Sequence, residues 1–135
     1  MSSFNLDGYD NFDEKTLSYV KRTIDYCINV LEIPVADLEV RNSYDLIVKI
    51  VFQGLYLKLD GLVGIDISDN CITGLGSKRN LDEIVVMYNL KAKKFSIFRE
   101  SEYTESLKKI ILAIVEDNSS KVKSFRDFYE SKNIK

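Results

Sequence analysis

Apolar residues recur at Leu17, Val20, Ile24, Cys27, Ile28 and Leu31, a helical spacing that gathers them on one stripe. Lys15, Lys21, Arg22 and Asp25 fall on the other side of that wheel. Asp13 stands just ahead of the stripe as a candidate N-cap, and Pro34 follows it, where the residue before a proline avoids helical geometry. The pattern predicts a helix that opens at Asp13 and is closed by Pro34. Residues 1 to 12 show no period and read as an irregular segment.

From Asp45 to Phe52 the period changes to two, with Leu46, Val48, Ile50 and Phe52 on one face. Leu55, Leu57 and Leu59 alternate in the same way with Tyr56, Lys58 and Asp60. If Gln53-Gly54 is a two-residue turn, Phe52 meets Leu55, Ile50 meets Leu57 and Val48 meets Leu59, apolar on apolar throughout. A three-residue loop Asp60-Gly61-Leu62 would then set Val63, Ile65 and Ile67 against Leu59, Leu57 and Leu55. Ser68-Asp69-Asn70 reads as a turn, Cys71-Ile72-Thr73 as a short strand, and Gly74 to Asn80 as a loop. A second hairpin runs from Glu83 to Leu90 and from Lys94 to Arg99, turning near Lys91-Ala92-Lys93.

Helical period returns at Leu107, Ile110, Ile111, Ile114 and Val115. Asp117 to Ser120 interrupts it, and Val122, Phe125, Phe128 and Tyr129 mark a second, shorter helix. These elements predict an α+β fold: an antiparallel sheet of about five or six strands with an N-terminal helix and two C-terminal helices packed on it. With no repeat or linker, residues 1–135 read as one domain. The sheet's other face would carry Ile47, Lys49, Val51, Tyr56 and Lys58. Three of these are too apolar for a face meant only for water, so the C-terminal helices or a partner should cover it.

Composition narrows the chemistry. The 135 residues hold 19 Lys and Arg, 21 Asp and Glu, two Cys, one Pro and no His. A hydrophobic fraction of 45% is enough for a core without disulfides or metal. Without imidazole there is no Ser-His-Asp or Cys-His machinery, no histidine metal site and no histidine proton switch. A net charge of −2 gives no footprint of a general nucleic-acid binder. Cys27 and Cys71 make no metal pattern, and a disulfide between them is not expected. The first ten residues lack the basic and apolar regions of a signal peptide, and the longest apolar run, Ile110 to Val115, is far shorter than the ~20 residues that span a bilayer. The expected setting is cytoplasmic, soluble and reducing.

Local motifs argue mostly against themselves. Asp66-x-Ser68-x-Asn70 starts like a calcium loop but has Cys71 and Ser77 where that loop needs Gly and Glu. Gly74-Leu-Gly-Ser-Lys-Arg79 fits neither glycine-rich phosphate motif. Lys91, Lys93, Lys94 and Arg99, with Phe95 and Phe98 among them, could serve single-stranded nucleic acid, although lysine at a hairpin tip also protects a sheet edge. The acid pairs Asp66/Asp69, Asp82/Glu83 and Glu116/Asp117 stand at turns or helix ends, where acids are ordinary. Neither a catalytic residue nor a metal or other cofactor is expected.

Distributed features say more. Residues 1 to 14 carry four acids and no base, while residues 121 to 135 carry five bases and two acids. Asp60, Asp66 and Asp69 mark a second acidic stretch, and eight Tyr are generous for this length. Asp7, Tyr9, Asp10, Tyr56, Asp60, Asp66 and Asp69 are therefore the expected partner-binding residues. The expected function is a non-catalytic protein-binding domain, most concretely a small inhibitor that neutralises a basic partner such as a bacterial toxin or nuclease. The chain resembles immunity proteins of toxin systems in size, acidity and α/β make-up, a likeness of composition that covers no motif. A secretion-chaperone-like homodimer is one alternative, although the helix between two groups of strands is missing, and a structural or regulatory homodimer joined through the open sheet face is another. A small ligand-binding or enzyme domain using Asp, Glu or Tyr is the third.

Overall fold

A computed structural model describes residues 12–43, 47–77, 84–100 and 103–116. The first helix, α1, covers Glu14–Asn29 and begins as its sequence requires: Asp13 is extended and its Oδ1 accepts the Thr16 backbone N–H at 2.7 Å. Val20, Ile24 and Cys27 are fully buried, with Leu17, Ile28 and Leu31 packed against them. The helix stops before Pro34. The N–H groups of Val30 and Leu31 both return to the Tyr26 carbonyl, and Glu32 takes a φ of 58°. Pro34 instead opens a single 3-10 turn, Val35–Asp37. Asp25 also departs from the wheel, being buried and accepting from the Asn29 side-chain amide.

Among the described residues six strands follow: β1 (Glu39–Ser43), β2 (Ile47–Gln53), β3 (Leu62–Ile67), β4 (Cys71–Ser77), β5 (Ile84–Asn89) and β6 (Lys94–Ile97). All neighbours are antiparallel and the spatial order is the chain order. The second helix, α2, covers Thr104–Glu116. The predicted α+β class and antiparallel sheet are thus present, with two helices among the described residues. The predicted helix at Val122–Tyr129 lies outside them.

One face of the sheet carries Val48, Ile50 and Phe52, aligned with Ile67, Ile65 and Val63. Helix α1 lies over β2 and β3, α2 over β4 and β5, and the helices touch. Leu107, Ile110, Ile111 and Ile114 of α2 complete the core. Arg22 reaches from α1 to the carbonyls of Ile114 and Val115 at 3.2 and 3.4 Å, placing a cation at the negative end of α2. Both helices occupy this one face. The opposite face, expected to need a cover, carries Val51 and Leu75 at 5% and 6% exposure and the half-buried Ile47 and Lys49.

Two sequence expectations fail. Leu55–Asp60 is not a strand: Gly54–Leu57 forms a 3-10 turn, Lys58 takes φ 60°, and β2 pairs instead with Leu62–Ile67. Gly54 and Gly61 pinch the excursion shut, the Gly54 N–H bonding the Gly61 carbonyl at 2.7 Å. A Cβ on Gly54 would lie 2.9 Å from that carbonyl oxygen, and Gly61 sits at φ 114°. The alternation of Leu55, Leu57 and Leu59 competed with that of Val63, Ile65 and Ile67, and β-branched residues suit a pleated surface better than leucine. Tyr56 and Lys58 consequently do not belong to the outward sheet face.

Nor is Gly74 to Asn80 simply a loop, because β4 runs on to Ser77. Gly74 and Gly76 lie in mid-strand because α2 comes so close. A Cβ on Gly74 would meet Leu107 Cβ at 3.0 Å, and one on Gly76 would meet Tyr103 Cδ1 at 3.1 Å.

Candidate functional site

The 54–61 excursion projects from the end of the sheet where β1 and β3 begin. Leu55 is 64% exposed there, an apolar side chain that the packing leaves in water. Beside it, Tyr56 keeps part of its ring against the core and donates its hydroxyl to Asp37 Oδ2 at 2.5 Å. This bond joins two 3-10 turns that are 19 residues apart in sequence. The accepting Asp37 carboxylate holds the Tyr56 phenol above its usual range, burial adding to the effect. Asp60 is exposed at the far side of the excursion, and Glu32 is exposed on the chain leading into the 35–37 turn. Lys58 is the described cation in this group. The result is an apolar anchor flanked by a fixed tyrosine and by carboxylates.

Of the seven sequence-predicted residues, the structure brings Tyr56 and Asp60 to this corner. Asp69 is exposed in the β3–β4 turn, at the other end of the sheet. The six residues of β3 separate it from Asp60 by on the order of 20 Å. Asp66 lies on the outward face of β3 opposite Lys49, its Oδ1 3.7 Å from the ammonium nitrogen. It serves that cation and is half-buried. Asp7, Tyr9 and Asp10 lie outside the described residues. The stretch from 60 to 69 is therefore not one patch.

Asp37 and Leu55 were missed. Asp37 sits in a turn with no period, and its link to Tyr56 is long-range. Leu55 shares the alternation of Leu57 and Leu59, which points it inward in a strand; the 3-10 turn Gly54–Leu57 turns it out to solvent instead. Pro34 was the available signal, since a proline after a helix followed by Val-Ala-Asp can open a new turn.

The other candidates are placed as follows. Ser68 bonds Cys71 through its backbone and hydroxyl, closing the β3–β4 hairpin that the calcium-like motif describes. Among the described residues, no group of three or more His, Cys, Asp or Glu could hold a metal ion. Lys78, Arg79, Asp82, Glu83 and Asp117 lie outside the described residues. Cys27 and Cys71 are free thiols on opposite sides of the sheet, and burial pushes the Cys27 thiol up to about 12. A shallow depression of about 480 Å³ lies between the β3–β4 and β5–β6 turns, lined by Asn70, Asn89, Lys91 and Ala92. Two amides, an ammonium and a methyl offer hydrogen bonds and positive charge there, not a proton-transfer pair.

No described helix is long and apolar enough to cross a membrane. No family model, curated protein or solved structure matches the chain.

Proposed function

We propose that this is a non-catalytic protein-binding domain, a small cytoplasmic inhibitor of the immunity type that neutralises a basic partner such as a bacterial toxin or nuclease. The observation that carries the reading is the corner formed by Leu55, the Tyr56–Asp37 hydrogen bond and Asp60. Interfaces draw most of their energy from a few anchors that become desolvated, tyrosine prominent among them; Tyr56 supplies one, and the exposed Leu55 adds apolar area to bury. Carboxylates around such anchors speed encounter with a cationic surface and reject anionic ones. Because Tyr56 is already held by Asp37, less rotamer freedom is lost on binding.

The test is capture from an extract of the native cell with the full chain immobilised. A basic protein should be retained by the wild type and by Asp69→Asn. It should be lost by Leu55→Asp and by the pair Asp37→Asn with Asp60→Asn, and retention should weaken as salt rises. Equal retention by all these proteins, or capture of an acidic partner, overturns the reading.

A further inference from the structure

We propose that the open edge of β6 is a second docking site, one that takes an extended acidic segment of another protein by adding it to the sheet as a seventh strand. The inference stands apart from the acidic corner. It uses the opposite edge and the opposite charge.

The backbone supplies the first part. Among the described residues β6 is the terminal strand of the sheet, paired on one side with β5. The Phe98 N–H bonds the Val85 carbonyl at 3.0 Å. Antiparallel partners alternate between bonded and non-bonded pairs, so with Val86 opposite Ile97, Met87 opposite Ser96 and Tyr88 opposite Phe95, the bonded residues are Phe98 and Ser96. The N–H and C=O groups of Phe95 and Ile97 therefore point away from β5, along the free edge. They form the row of donors and acceptors that an incoming strand completes.

Side chains supply the second part. Ile97 is 38% exposed on the helix side of the sheet and Phe98 64% exposed beside it, so an added strand would find apolar surface. Phe95 is held between the Tyr88 ring, at a centroid distance of 4.9 Å, and the Lys108 ammonium, at 5.4 Å. Lys91, Lys93, Lys94 and Arg99 are all exposed along this hairpin, with Glu100 as the adjoining acid. Among the described residues these four cations outnumber Glu100, and Lys108 is offset by Glu105 at 3.8 Å, so the surplus selects an acidic occupant. The same charges oppose a second copy, since an antiparallel β6–β6 pair that sets Phe95 against Ile97 would bring Lys93 against Arg99. A single-stranded nucleic acid would answer the charge but leave the Phe95 and Ile97 backbone groups unused.

The experiment titrates the full-length protein with four fluorescent probes: a short peptide alternating valine and glutamate, its N-methylated form, the lysine version, and an oligothymidylate. The glutamate peptide should bind and slow amide exchange at Phe95 and Ile97. The N-methylated and lysine peptides should bind at least about tenfold more weakly, as loss of edge hydrogen bonds and charge pairing requires. Ile97→Pro removes an outward N–H while leaving the ladder bonds of Ser96 and Phe98, and should weaken the glutamate peptide to a similar degree. The pair Lys93→Glu with Lys94→Glu should reverse the preference toward the lysine peptide, independently of whether the proline variant folds. No binding of the glutamate peptide at millimolar concentration, equal affinity for both charges, or tighter binding of the oligothymidylate overturns the proposal.

Discussion

Gly74 of β4 lies directly under Leu107 of α2, so close that a methyl group on the glycine would stand 3.0 Å from the leucine Cβ. Leu107 Cδ2 and Ile111 Cδ1 would be 3.3 and 3.4 Å away. This contact sets the height of α2 over the sheet. Gly74→Val should cost about 1–3 kcal/mol by overpacking, and Leu107→Ala about 2–5 kcal/mol by leaving a cavity. In urea unfolding, Gly74→Ala combined with Leu107→Ala should cost less than the sum of the two single changes. Strict additivity would place the glycine elsewhere than under Leu107.

Arg22 ties the two helices by donating to the carbonyls of Ile114 and Val115. Arg22→Met keeps most of the aliphatic stem but loses the charge-assisted bonds. It should lower stability by about 1–2 kcal/mol with an unchanged urea slope. Arg22→Lys should recover part of that loss.

Asp13 caps α1, and its hydrogen bonds from Thr16 hold its carboxyl below the ordinary value of 3.8. A lowered folded value means the cap stabilises the protein above the unfolded pKa and ceases to do so as pH falls through the folded one. Asp13→Ala should therefore lower the denaturation midpoint at neutral pH, and the gap should close on acidification below pH 4 or so. Asp13→Asn, which caps without titrating, should not share that pH dependence.

Cys27 titrates in the opposite sense. Its folded value is about 12 against an ordinary 9.0, because burial disfavours the thiolate. The stabilisation is complete below pH about 9 and is lost as pH rises toward 12, since the unfolded thiol ionises first. The alkaline fall in stability should be shallower in Cys27→Ala. Under native conditions iodoacetamide should label the half-buried Cys71 first, and Cys27 only at the rate of opening.

How far these relationships could be read in advance depended on their range. The α1 stripe, its Asp13 cap, the hairpin from β5 to β6 and the stripe of α2 rest on local spacing, and each is present. The alternation at Leu55, Leu57 and Leu59 was as regular as that at Val63, Ile65 and Ile67. Choosing between them needed the Gly54–Gly61 pinch, a contact across the excursion that spacing does not encode. Gly74 and Gly76 were punctuation in the sequence and are close approach in the fold. At the candidate site, Tyr56 and Asp60 were legible as exposed chemistry. Asp37 was not, since its value comes from a long-range bond between two irregular turns. The acids from 60 to 69 are close in sequence, but the Val63, Ile65 and Ile67 alternation between them already marked a strand whose length sets Asp60 and Asp69 at opposite ends.

The binding corner is tested most directly by amide hydrogen exchange on the full chain, alone and with the captured basic protein. Binding through Leu55, Tyr56, Asp37 and Asp60 predicts slowed exchange confined to residues 35–37 and 54–60, with the β3–β4 turn around Asp69 unchanged. Protection centred anywhere else, or none at 54–60, would contradict it.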